Sequence, residues 1–218
     1  MKLIFSFCIA LVATSSMAQE KLHSGLKDVL RVGLENAVTQ VALKDGYYGN
    51  DLIKIPLPEK LQKGSKYLDK LGGGLTDKLV ERMNRAAEQA APQAKEIFLQ
   101  AVKDIRFDDA TKLLSGEEHA LTTYLQESTS DSLKEAFYPV VKQSMEELKV
   151  IALYNEYTGK LKANPFAKKI DLDITSYVTE KALTGLFVIV ADEEAKMRTD
   201  PKARVTDLIK DVFSNLGK

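Results

Sequence analysis

Hydrophobic positions recur every three or four residues along most of the chain, and strict two-residue alternation is scarce. That period belongs to amphipathic helices rather than strands. From Ser24 to Leu43 the residues Leu26, Val29, Leu30, Leu34, Ala37, Val38 and Val41 form one stripe, with Ser24 placed to cap the first turn. The stretch "KDGYYGNDLIKIPLPEKL" breaks the pattern: a glycine-bearing aromatic loop leads into an arm in which Pro56 and Pro58 forbid a regular helix. A short helix is predicted from Pro58 to Leu71, ended by Gly72 to Gly74, and a long one from Leu75 to Ile105. Two shorter helices follow, Asp108 to Leu114 and Glu117 to Glu127. Another starts at "STSDSLKEAF" and runs to Leu148 or beyond, bent or interrupted at Pro139. A polar connection, "YTGKLKANPFAKK", leads to a long central helix, "DLDITSYVTEKALTGLFVIVADEEAKMR". After Pro201 an amphipathic helix closes the chain. No repeat and no linker divides these elements, so the expected fold is all-α, a single-domain bundle of about seven to nine helices with one extended proline-containing arm.

The helix around "MNRAAEQAAP" holds the main candidate residues. With each residue turned by about 100° and Met83 set at zero, Leu79, Val80, Ala86, Ala87, Ala90, Ala94, Ile97, Phe98 and Ala101 all fall within roughly 60° of it. Pro92 lies on the opposite side, which predicts one helix bent at a solvent-side proline. The alanines at four-residue spacing form a seam that a neighbouring helix can approach closely. Arg85, on the far side, is within reach of Glu81 and Glu88, and these three read as a solvated ion-pair ladder. Asn84 stands at the edge of the apolar stripe, where an amide either bridges a neighbouring segment or faces a groove as a ligand contact. Tyr47 and Tyr48 in "DGYYGND" either pack down as a lid or face outward as a recognition surface. The arm residues Leu52, Ile53, Ile55 and Leu57 either lie in a groove of their own domain or dock on a partner. Asn84, Arg85, Glu88, Tyr47 and Tyr48 are therefore the candidate binding residues.

The N-terminus changes the picture of where the protein works. Lys2, the apolar run Leu3 to Ala13 and the small-x-small pair Ser16 and Ala18 make a signal peptide covering residues 1–18, cleaved to leave a single helical domain, 19–218. The chain is thus expected to be periplasmic or secreted. Cys8, the only cysteine, lies inside the apolar run and leaves with it, so the mature domain has no disulfide, no thiolate metal site and no cysteine nucleophile. With 30 basic against 31 acidic residues after cleavage, no global field favours nucleic acid. No later apolar run reaches the roughly 20 residues needed to span a bilayer, and "LFVIVA", Leu186 to Ala191, reads as a core segment. In the last helix Leu208, Ile209, Val212, Phe213 and Leu216 share one side, better suited to the core than to a membrane surface because the other side is mixed in charge.

Catalytic patterns are sparse. His23 and His119 sit in different segments, no "GxSxG" elbow is present, and "LGGGLTDK" follows no strand and is not a phosphate loop. Glu20 precedes His23 by three residues as in a di-metal helix motif, but Gly116 holds the matching position before His119. Asp108 and Asp109, and Asp171 and Asp173, are the weak alternative metal ligands; Asp108 and Asp173 fit helix caps, Ser115 with Glu118 fits a capping box, and the EF-hand glycine and distal glutamate are missing. No cofactor is implied.

The motifs "GLKDVLRVGLENAV", "IKIPLPEKLQK", "MNRAAEQAAPQAKEIF", "FDDATKLLSG", "TTYLQESTSDSL" and "YVTEKALTGLFVIVADEEAKMRTDPKARVTDLIKDVF" resemble the bacterial exported family of domain of unknown function 4197, from about Ser24 to Phe213. The resemblance implies a helical, envelope-associated protein and supplies no catalytic residues. The expectation is an exported, non-enzymatic helical module of the cell envelope that binds a protein partner or an apolar small ligand. The alternative is a carboxylate- and metal-dependent, hydrolase-like enzyme.

Overall fold

The computed structural model describes residues 3–70, 72–108, 110–162 and 172–214, with side chains described from Met17 onward apart from Ala18. Among them are eight α-helices and no strand: α1 (Leu3–Val41), α2 (Glu59–Lys70), α3 (Leu75–Asp104), α4 (Ala110–Leu114), α5 (Ala120–Glu147), α6 (Val150–Lys162), α7 (Ile174–Thr199) and α8 (Asp207–Ser214). A 3₁₀ turn, Pro201–Ala203, joins α7 to α8.

The four long helices make the framework. Each of α1, α3, α5 and α7 packs mainly on two of the others, in the cyclic order α1–α3–α5–α7, and the two diagonals barely touch. This is a four-helix bundle with short helices attached: α8 lies on α1, α4 sits by α1 and α5, and α2 and α6 close the outer side of α3. One continuous apolar core runs through it. The alanine seam of α3 is fully used, with Ala86, Ala87, Ala90 and Ala94 all inaccessible, while Pro92 is exposed on the outside of an unbroken helix.

Four elements differ from the expectation. First, α1 continues through Ser24, so that residue is not a cap; Met17, Gln19 and Glu20 are exposed, and the described core side chains of α1 begin near Leu26. Second, the two helices predicted on either side of "ESTSDS" are one helix, α5. The hydroxyls that look like a helix end bond backward instead, Thr129 to the Leu125 carbonyl (2.5 Å) and Ser130 to the Gln126 carbonyl (2.6 Å). Leu121, Leu125, Leu133, Phe137, Val141 and Met145 keep one buried stripe through the join. Third, Lys149 takes a left-handed conformation (φ 54°) that ends α5, and α6 then occupies the first part of the expected polar connection, with Tyr157 inaccessible in the core. Fourth, α7 has the length and composition of a membrane-crossing helix, although 61% of its most apolar window is buried inside the protein. The run "LFVIVA" gains this length from the small and polar residues around it.

Candidate functional site

The loop and arm between α1 and α2 are held against α3 and α7 by side chains. Left-handed Asp45 (φ 69°) turns the chain out of α1 so that Tyr47 points inward. The Tyr47 ring is buried and its hydroxyl donates to the Ala182 carbonyl of α7 at 2.7 Å. Gly185, one turn further on, permits this approach, since a Cβ there would lie 2.7 Å from the ring. The arm then runs extended, burying Ile53, Ile55 and Leu57 on alternate positions and leaving Leu52 exposed. The arm therefore fills a groove of its own domain.

Asn84 and Glu88 supply the main-chain partners that a neighbouring strand would otherwise provide. The Asn84 amide oxygen accepts the Ile55 N–H (2.8 Å), and its NH₂ donates to the Ile55 carbonyl (2.8 Å) and to the Val80 carbonyl (2.8 Å). One oxygen of Glu88 accepts the N–H groups of Tyr47 (3.1 Å) and Tyr48 (3.0 Å), while the other accepts from Arg85 at 2.7 Å. Asn84 is wholly inaccessible and Glu88 nearly so, which corrects the solvated ladder for Glu88. Only the outer part of that ladder is at the surface, where Arg85 meets Asp45 (2.7 Å) and Glu81 (3.7 Å). The guanidinium pKa is raised, chiefly by its hydrogen bond to Glu88. Tyr48 is half-buried, with Lys54 4.2 Å and Arg85 5.1 Å from its ring centre. The five candidate residues thus come together, as a clamp on their own chain.

Burial, and then the charge of Glu88, push the Tyr47 phenol above its ordinary value of 10.0. A raised acid keeps its proton in the folded state, so its contribution is fully present below pH 10 and lost as pH rises through the folded value. In urea titrations between pH 9 and 11.5, wild type is expected to lose stability faster than Tyr47→Phe, so that the gap between them narrows. Parallel losses would show that this phenol is not buried as described.

The described members of the acidic clusters contact their own chain. Asp173 caps α7 by accepting the Ser176 N–H (3.0 Å), and Asp108 lies 3.5 Å from the Tyr124 hydroxyl. Asp109, Asp171 and Leu216 lie outside the described residues. Among those described, no three His, Cys, Asp or Glu side chains are grouped to hold a metal. The expected capping box is replaced: Ser115 bonds back to Thr111 (2.9 Å), and α5 is capped from α7 by the buried Glu194. Its carboxylate accepts the Leu121 N–H (3.1 Å), the Thr122 N–H (2.8 Å) and the Thr122 hydroxyl (2.7 Å). Arg198 pairs with it at 2.8 Å and donates to the carbonyls of Leu114 (2.8 Å) and Leu113 (3.0 Å) at the end of α4. Sequence reasoning passed over Glu194; the signal was an acid in phase with Val190 and Met197, four residues before an arginine.

Beside this staple a groove of about 720 Å³ opens between α4 and α5. Leu113, Ala120 and Tyr124 line it together with Lys112, His119 and the carboxylates of Asp108, Glu117, Glu118 and Glu127. The His119 ring is fixed by the Ala191 carbonyl, 3.1 Å from Nδ1. A second concavity, shared at Asp108, holds His23, whose ring meets Phe107 edge-on at 5.9 Å. The two histidines thus line neighbouring hollows.

An α-helical bundle with a self-clamped arm and an open groove at one end is the class of protein that these features define. The chain belongs to the family described as Protein of unknown function (DUF4197), whose profile matches residues 16–214. No curated protein and no solved structure matches it.

Proposed function

We propose that this is an exported, non-enzymatic helical module of the bacterial cell envelope, and that it binds a protein partner in the α4–α5 groove. The observation that carries the reading is the groove itself. Its polar rim is exposed and its floor apolar, whereas the buried polar groups Asn84, Glu88 and Glu194 are engaged with the chain's own backbone. The hollow is open and joins others along α5, which suits a polypeptide better than an enclosed small molecule. The basic, apolar and small-residue succession of residues 1–18 supports export and cleavage before Gln19.

The test is site-specific photo-crosslinking in the bacterium. A benzoylphenylalanine at Thr123, exposed in the groove, is expected to give one discrete adduct in the periplasmic fraction, on a chain whose first residue is Gln19 by mass spectrometry. The same probe at Lys66 of α2, exposed and outside the groove, is expected to give none. Equal labelling from both positions, or none from Thr123, removes the groove as the binding site.

A further inference from the structure

The α4–α5 groove is one part of a longer furrow. It shares Thr123 and Glu127 with a second hollow along α5, which shares Gln126, Ser130 and Asp131 with a third reaching Leu183 and Phe187 of α7. From Ala120 to Lys134 the furrow follows α5 for about 21 Å at 1.5 Å per residue. That is the span of roughly six or seven extended residues. The ion pair of Lys134 with Glu180, at 3.1 Å, closes the far end.

The rim of this furrow is unbalanced in charge. Glu117, Glu118, Glu127 and Asp131 are all exposed, and the ion pair found for them among the described residues is that of Glu118 with His119, at 3.9 Å and charged only when the histidine is protonated. Lys112 is the lysine that lines the same end. Several other surface acids are paired, as at Lys21–Asp211, Lys160–Glu156 and Lys196–Asp192, and six carboxylates line the furrow against Lys112 and Lys134. The floor is apolar at the two ends, Leu113, Ala120 and Tyr124 at one and Leu183 and Phe187 at the other, and polar between them. With the carboxylates beside it, such a floor is complementary to an extended chain carrying cations along its length and aliphatic groups at its ends.

We infer that the occupant is an extended segment of a partner protein, about six or seven residues long, with lysine or arginine along it and apolar side chains toward its two ends. This rests on the groove reading above and names the chemistry of its partner. The probe is a fluorescein-labelled heptapeptide with leucine at each end and four lysines and an alanine between, titrated with the purified protein and followed by anisotropy, beside the same peptide with glutamate for lysine.

The lysine peptide is expected to bind, weakening with added salt, and the glutamate peptide to bind at least about tenfold less well, the size that four exposed ion pairs together supply. The variant Glu117→Gln/Glu118→Gln/Glu127→Gln/Asp131→Asn, all at exposed positions, should lose the same factor while melting like wild type. Thr123→Arg, which sets a cation in the furrow, should do likewise. Equal affinity for both peptides, binding untouched by these variants, or no binding at millimolar protein each overturns the inference. A crosslinked partner at Thr123 without lysine-peptide binding retains the groove and rejects only the basic occupant; failure of both rejects the two together.

Discussion

Glu194→Ala is expected to lower the free energy of unfolding by about 3–5 kcal/mol, the range for removing one partner of a buried ion pair. The carboxylate is 1% exposed and serves four donors, two of them backbone N–H groups in the first turn of α5. Those N–H groups have no intrahelical acceptor, so the substitution leaves them unpaired away from water. Arg198 loses its counter-charge while still tied to the Leu113 and Leu114 carbonyls. Because ordinary domains are stable by only about 5–15 kcal/mol, such a loss removes a large share of the total. Glu194→Gln keeps one acceptor and should lose less, about 1–3 kcal/mol. Arg198→Met combined with Glu194→Ala should cost less than the two changes summed, because each alone strands the other partner. Urea denaturation with linear extrapolation measures wild type and the four variants, Arg198→Met alone among them. A Glu194→Ala variant within about 1 kcal/mol of wild type would mean that α5 is capped by something other than α7.

Helices α3 and α7 were legible in the sequence because each repeats its apolar positions over many turns, and a proline on the outer face of α3 does not disturb that phase. Helix α5 was not, because Ser128, Thr129, Ser130 and Ser132 read as a helix end when taken locally. Thr129 stands four residues from both Leu125 and Leu133, and that register outweighs the weak helix propensity of hydroxyl residues once a core covers it. The clamp was half legible. Asn84 announced itself as a polar residue on the border of an apolar stripe. Glu88 did not, because it lies about 140° from Met83, where one helix's period cannot show what packs against it. The arm supplies that cover: Ala91, Asn84 and Glu88 share the flank on which the arm lies, so the burial of Glu88 is a tertiary fact. Glu194 carried a readable signal, an acid within an apolar phase and four residues before an arginine. Its acceptor role depends on where the α4–α5 turn comes to rest.

Asn84→Ala should detach the arm before it unfolds the bundle. Ile55 has both its N–H and its carbonyl bonded to the Asn84 side chain and is itself inaccessible, so alanine leaves two buried backbone groups unmet. The expected loss is about 2–4 kcal/mol, from one to three for each unmet group with partial rehydration as the arm lifts. Hydrogen exchange should locate it, with the Ile55 amide losing protection while the amides of α7 keep theirs. Asn84→Asp separates the two halves of the amide. An aspartate retains the acceptor for the Ile55 N–H but turns its second oxygen toward the carbonyls of Ile55 and Val80, which need donors. Protonation converts that oxygen into a donor, so the folded-state pKa of the new side chain rises above its unfolded value of about 3.9. Its favourable contribution is then fully present below about pH 3.9 and lost as pH rises through the folded value. The stability gap between Asn84→Asp and wild type should accordingly be wide at pH 7 and narrow at pH 4. A gap of equal size at both would show that the side chain does not donate to these carbonyls, and that the arm is held by its apolar residues alone.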